Sequence, residues 1–143
     1  MLVFIDDAKS IQDLLREGTY DWIHRDITDV HFPLKKQGIV GGISIEGIVL
    51  AHFDRSMQID AITEEFLRFG LTPITPHVLL SFALAYPLMQ KQFPIVALDG
   101  WWKDREGYRE AVYLCGGVDR RVGLHRYDSP YGPRCRFAGI EGF

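Results

Sequence analysis

Apolar residues run along this chain in short blocks, and their spacing switches between the period of a helix and that of a strand. Leu2-Val3-Phe4-Ile5 is a short apolar run followed by Asp6 and Asp7. Asp7 or Ser10 then caps a predicted helix carrying Ile11, Leu14 and Leu15 on one face, with Gly18 as its stop. The segment 43–53, ISIEGIVLAHF, is rich in β-branched residues and predicts a long strand. Ile59, Ile62, Phe66 and Leu67 stand at helical spacing, capped by Ser56 or Asp60 and closed by Gly70. A link, Leu71 to Ile74, leads to Thr75-Pro76, an N-cap followed by proline at the first helical position. The helix that follows places Val78, Leu79, Phe82 and Ala85 on one face and ends before Pro87. Strands are expected over 93–98, 111–114, 122–125 and 136–140, with a turn at Arg105 to Tyr108.

The order is therefore long strand, helix, helix and several short strands, which predicts an α+β fold. At 143 residues the chain suits one domain, and no repeat or low-complexity linker divides it. With 47% apolar and 13% aromatic residues it has enough material for a core, which argues against disorder. The net charge of -3 gives no global attraction to nucleic acid, and the cluster of Arg120, Arg121, Arg126, Arg134 and Arg136 reads as solvated surface. No apolar segment reaches the length of a membrane span, so no membrane insertion is expected. The start, MLVFIDDAKS, lacks a basic region before an apolar one and does not read as a signal peptide, so a cytoplasmic or virion-associated protein is expected unless another route exports it.

One stretch departs from average composition. Residues 115–135 read CGGVDRRVGLHRYDSPYGPRC and contain no Lys, Glu, Gln, Met or Trp. From average usage such a gap has a chance on the order of one per cent. Every residue type present is reachable from an asparagine codon by changing its two adenines alone. That pattern suits a diversified binding surface, and equally a Gly/Pro-rich surface loop. As a binding surface it resembles an antibody paratope in its physics. Tyr127 and Tyr131 offer rigid amphipathic area, Arg121, Arg126 and Arg134 offer forked donors, and the small residues adapt. Alternation along a strand projects Arg121, Gly123 and His125 together while Val122 and Leu124 pack inward. The expected ligand-binding set is Cys115, Gly117, Asp119, Arg121, Gly123, His125, Arg126, Tyr127, Ser129, Pro130, Gly132, Arg134 and Cys135.

Catalytic and metal signatures are weak. Asp26, Asp29 and His31 fit a turn followed by a strand better than a metal site, and no metal or cofactor is expected. Gly38 to Gly42 lacks the Lys-Ser/Thr ending of a phosphate loop and reads as a turn before a strand. His24, His31, His52, His77 and His125 stand in no HxxxH or HxH arrangement, and no Gly-x-Ser-x-Gly occurs. Trp22, Trp101 and Trp102 suit core packing or loop anchoring better than a sugar platform. The two cysteines, Cys115 and Cys135, are open to pairing if their strands are neighbours, and equally to remaining free thiols.

The strand–helix–helix–strands order resembles the C-type lectin fold, in particular its formylglycine-generating-enzyme-like branch. Phe69 to Leu80, FGLTPITPHVLL, is similar to that branch's Gly-x-Arg-Leu-Pro-Thr-x-x-Glu-Trp signature, with His77 to Leu80 in place of the Glu and Trp. Cys135 to Ile140 echoes its closing Gly-Phe-Arg strand. From about Phe53 to Ile140, the elements Tyr86-Pro87, Phe93 to Leu98, Tyr113-Leu114 and Arg136-Phe137 resemble the framework of the variable proteins of diversity-generating retroelements. In that class a reverse transcriptase rewrites template adenines and the product enters the 3′ end of the gene. The resemblance implies one C-type lectin-like domain: a 1–42 extension, a 43–114 scaffold, a 115–135 variable ligand-binding region and a 136–143 closing strand. It implies non-catalytic recognition of a macromolecular ligand, expected to be a protein, with no nucleic-acid partner. Competing expectations are a small oxidoreductase of the formylglycine-generating type using Cys115 or Cys135, and an interaction domain of fixed sequence. Calcium-dependent sugar binding would require an amide and carboxylate cluster, and the chain has no asparagine.

Overall fold

The computed structural model describes residues 1–34 and 42–141. Three α-helices form where the spacing places them. Helix α1 (Ile11–Glu17) starts at Ser10, whose hydroxyl accepts from the Asp13 N–H while the Asp13 carboxylate accepts from the Ser10 N–H, a reciprocal cap. Asp29 adds a distant second cap, accepting from the Ile11 N–H at 2.8 Å and the Gln12 N–H at 3.3 Å. Helix α2 (Ile59–Phe69) begins after Gln58 with no side-chain cap, so neither Ser56 nor Asp60 serves as expected. Asp60 lies in its first turn, where a carboxylate favours the helix dipole. Ile62 and Phe66 are buried, but Leu67 is 79% exposed because it sits about 100° round the helix from Phe66. Gly70 ends α2 in the left-handed conformation at φ 66°, ψ 33°. Helix α3 (Pro76–Ala85) starts on the Thr75 cap with proline in its first turn. Every residue from Pro76 to Ala83 is buried, and Ala85 is exposed, so α3 is a central helix and not the amphipathic one expected.

Nine strands form one mixed sheet among the described residues: β1 (Leu2–Asp6), β2 (Trp22–Ile23), β3 (Ile43–His52), β4 (Leu71–Pro73), β5 (Ile95–Val96), β6 (Trp102–Lys103), β7 (Arg109–Gly116), β8 (Arg120–Arg126) and β9 (Arg136–Glu141). The order is β1-β3-β9-β5-β7-β8-β2, with β4 pairing β9 and β6 pairing β7. Pairs β5–β9 and β2–β8 are parallel and the others antiparallel. The fold is α+β. The last strand, β9, lies antiparallel against β3 from Ile48↔Ile140 to His52↔Arg136.

Each face of the sheet carries its own core. Val3, Ile5, Val112, Leu114 and Val122 pack with α1 and α3 on one face, while Val96, Ala111, Phe137, Ile62, Phe66 and Tyr131 pack together on the other. Strand β7 shows the switch residue by residue: Ala111 and Tyr113 turn to the α2 side, Val112 and Leu114 to the α3 side. The described residues before β3 include β1, which extends the sheet, and α1, which packs on α3, so both are part of this body.

Several local expectations change. Leu71 to Pro73 is a strand and not a link, recruited by Thr72↔Ile140 pairing. Asp26 to His31 forms turns, with the short β2 before it and no strand within it. Only Ile95 and Val96 of the 93–98 segment pair as strand. The expected turn over Gly38 to Gly42 lies, apart from Gly42, outside the described residues. Among the described residues no helix is long and apolar enough to cross a membrane.

Candidate functional site

Strands β7 and β8 form a hairpin in register from Glu110↔Arg126 to Gly116↔Arg120. Its tip needs glycine. Gly116 has φ +156°, and a Cβ there would lie 2.0 Å from the Asp119 carbonyl oxygen. Gly117 follows at φ +143°, and Val118 at the apex is 99% exposed. Behind the tip, both carboxylate oxygens of Asp119 accept from Arg121 Nε at 3.0 Å. The tip end of the hairpin is clamped by Gln90, which is 2% exposed and lies in the 3-10 turn Met89–Lys91. Its amide nitrogen donates to the Cys115 carbonyl at 2.8 Å and the Arg121 carbonyl at 2.9 Å.

Alternation along β8 places Arg121, Gly123 and His125 on one face and sends Val122 and Leu124 into the α3-side core. Gly123 contributes no side chain to that face and is itself buried. It lies opposite Tyr113, whose ring would be 2.8 Å from a Cβ at Gly123. The Tyr113 ring therefore occupies the position that a β8 side chain would take. Arg126 is a correction to the expected set. Its place in the alternation puts it with Leu124 on the opposite face, where its guanidinium stacks on Tyr108 at 3.7 Å above a cleft shared with His24, Asp26 and Glu110. Burial, with neighbouring Asp104, pushes the Glu110 carboxyl up.

The segment from Tyr127 to Cys135 folds back over the hairpin. Tyr131 is fully buried, against the expectation that it offers contact area. It exchanges backbone hydrogen bonds with Met57 at 2.9 Å each way, its hydroxyl donates to the Tyr127 carbonyl at 3.1 Å, and its ring meets Phe137 edge-on. Tyr127 is half-buried and turns towards Trp101, with the Arg109 guanidinium 4.8 Å from its ring and 5.1 Å from that of Trp101. It stands beyond the Arg126 end of β8, away from Arg121 along the strand, and borders the cleft beside α2. Pro130, Gly132 and Arg134 are exposed and Ser129 is half-buried. Arg134 donates to the Gln92 carbonyl at 2.7 Å.

Cys115 and Cys135 are free, half-buried thiols. Strand β5 runs between them: Ile95 pairs with Leu114 on one side and Arg136 on the other. Two strand spacings amount to about 10 Å, beyond the ~7 Å that a disulfide spans between Cα atoms. Burial pushes both thiols up. At Cys115 the Tyr113 hydrogen bond and then the Arg121 charge pull back against it, and at Cys135 the Gly132 backbone does so. Burial likewise raises the Tyr113 phenol to about 12, with the two cysteines adding to the shift.

The arginine cluster is dispersed by the fold. Arg120 stacks on Tyr20 at 4.6 Å and donates to the Pro87 and Gly18 carbonyls, and Arg136 stacks on Phe93 at 4.3 Å. Both are half-buried structural cations and not the solvated surface expected. The tryptophans also serve separate partners: Trp102 stacks on His31, Trp22 meets His24 edge-on, and Trp101 meets Tyr127. Among the described residues no group of three or more His, Cys, Asp or Glu is placed to hold a metal ion.

The surface that remains comprises Gly117, Val118, Asp119 and Arg121 at the hairpin tip, and Pro130, Gly132 and Arg134 on the returning segment. Cys115, His125 and Cys135 lie half-buried among them. Tyr113 and Gln90 shape this surface and escaped the reading of the sequence. The signal for Tyr113 was a glycine facing an aromatic across a hairpin; Gln90 had none, since its partners are both backbone carbonyls. No protein-family model matches this sequence, and neither a curated protein nor a solved structure shows significant similarity to it.

Proposed function

We propose that this protein is a non-catalytic recognition protein of the diversity-generating-retroelement variable class. It displays residues 115–135 from a C-type lectin-like scaffold to a macromolecular ligand, a protein. One observation carries the reading. Within a single stretch, Val122, Leu124 and Tyr131 are committed to the cores, while Arg121, Pro130 and Arg134 are exposed and Asp119 half-buried. Among the described residues these four side chains make no polar contact beyond the Asp119–Arg121 pair and the Arg134 bond to the Gln92 carbonyl. A surface that must change without unfolding needs that separation, because substitutions away from the core shift stability little. The chain path supports the scaffold: a long strand, two helices and a series of strands whose last member returns antiparallel to the first. The raised thiols favour recognition over thiol chemistry, which needs a lowered pKa.

Deep sequencing of the 3′ end of the gene across its native population tests this. The expected result is substitution at adenine-derived positions of Asp119, Arg121, His125 and Arg134, with Val122, Phe137 and Phe93 to Leu98 constant. A uniform gene, or variation spread evenly along it, overturns the proposal and leaves an interaction domain of fixed sequence.

A further inference from the structure

The face of the sheet that carries the Tyr131 core is covered by α2 and the returning segment only as far as the second half of β3. Beyond that, its residues are apolar and bare. Leu2 is 69% exposed, Phe4 70%, Ile43 68% and Ile45 58%, while the alternate residues Val3 and Ile5 are buried on the other side. The register Leu2↔Gly47, Phe4↔Ile45 and Asp6↔Ile43 gathers the four large side chains into one block. Gly47 leaves an open floor, with nothing within 4 Å of where a Cβ would be. Along β3 the block runs into a cleft whose apolar lining, Val49, Ala51, Leu71 and the 62% exposed Phe69, is rimmed by Arg55, Glu65, Arg68 and Glu141. Isolated exposed apolar residues are ordinary, but a contiguous block of this size marks an interaction site.

We infer that a second copy of this chain packs face to face on the β1/β3 block, closing a two-fold sandwich. Leu2, Phe4, Ile43, Ile45 and Phe69 are each more than half exposed; at roughly 100–150 Å² apiece, a two-fold contact covering them buries about 1,000–1,500 Å², reaching the ~1,200–2,000 Å² of stable specific interfaces. The chemistry is self-complementary. The charge nearest the block on β1 is Asp6, at its margin, and its carboxylate already accepts from the Ala8 N–H. An apolar block meeting its own copy needs no opposite charge, which matches the composition of homodimer interfaces. Edge-to-edge extension through β1 fits less well, because the Leu2 carbonyl is taken by the Tyr86 hydroxyl at 3.2 Å. Strands β1 and β8 stand towards opposite ends of the sheet order, so the block and the 115–135 surface are several strands apart and a contact confined to the block does not cover β8. The dimer is then bivalent, and two linked sites gain avidity without new contacts. The inference does not depend on that surface being diversified.

Sedimentation equilibrium of the whole chain from about 1 to 100 μM tests the association, over the range in which a micromolar dimer dissociates. The expected mass at the upper end is twice 16.4 kDa. Phe4→Lys and Ile45→Lys, whose side chains leave the core untouched, are expected to return it to 16.4 kDa with unchanged near-UV circular dichroism. Hydroxyl-radical footprinting of the unmodified chain reads the same face without substitution: oxidation of Phe4 and Ile45 falls several-fold between dilute and concentrated samples. A single protomer throughout the range overturns the inference. So does association that survives both substitutions, or equal oxidation at both concentrations.

Discussion

His125 lies flat against Tyr131, ring centroids 4.3 Å apart and planes 21° from parallel. The contact joins β8 to the segment that returns over it, so a residue of the candidate surface rests on a residue of the core. Tyr131 is fully buried, with its backbone tied to Met57. Tyr131→Ala is expected to cost about 3–5 kcal/mol, as for other buried aromatic truncations. Arg121→Ala, Arg134→Ala and Val118→Ala are expected to stay within about 0.5 kcal/mol of the parent. Urea denaturation of the four variants checks this. An Arg134 variant as unstable as the Tyr131 one would show the surface to be structural.

Gly123 and Tyr113 form a second linked pair. A methyl at Gly123 displaces the Tyr113 ring, so Gly123→Ala is expected to destabilise by about 1–3 kcal/mol. With Tyr113→Ala already present, the same change finds room and its cost falls. A double-mutant cycle reads the coupling, and additive costs would mean that the ring is not what fills the space.

Gln90 clamps the hairpin from below. Gln90→Leu leaves the carbonyls of Cys115 and Arg121 without their donor, at a cost of about 1–3 kcal/mol. Hydrogen exchange is expected to accelerate at the β7–β8 tip more than in β3. Uniform acceleration across the sheet would mean a global loss and no clamp.

Stability at high pH follows from the tyrosines. Burial raises the Tyr20 and Tyr113 phenols from 10.0 to about 12 and the Tyr131 phenol further still. Between these values the unfolded chain ionises and the folded chain keeps its protons, so the folded state binds more protons and stability falls as pH rises. Stability is therefore complete below pH 10.0 and lost progressively towards about 12. Urea midpoints at about pH 8, about pH 10 and about pH 11 are expected to decline, with a shallower decline in Tyr20→Phe. A flat profile would mean that these hydroxyls meet solvent.

The two thiols give a separate test. Both are expected to react with iodoacetamide more slowly than a free cysteine, with an inflection displaced upward from the ordinary thiol value. A reactive thiolate near neutrality would redirect attention to cysteine chemistry.

Local order was legible in the sequence because it depends on neighbours along the chain. Ser10, Thr75-Pro76 and Gly70 mark helix ends through their own backbone and hydroxyl chemistry, and the β-branched run 43–53 is a strand in the fold. The alternation that separates Arg121 from Val122 was likewise present in the residue order. What no spacing conveys is which face each pattern meets. Tyr127 and Tyr131 look alike in sequence, yet Met57 draws one into the core while Arg109 and Trp101 hold the other at its rim. Arg126 changes face by one step of the strand period, and Arg120 and Arg136 are claimed by aromatic rings distant in sequence. The pattern along the chain determined the three helices and the longer strands, the α+β class and the compositional boundary of the 115–135 segment. Tertiary structure decided which of its residues face solvent, that β5 keeps Cys115 from Cys135, and that β1 presents bare apolar surface. Those outcomes depend on contacts between elements far apart in sequence, whose free energies are set by packing and not by local preference.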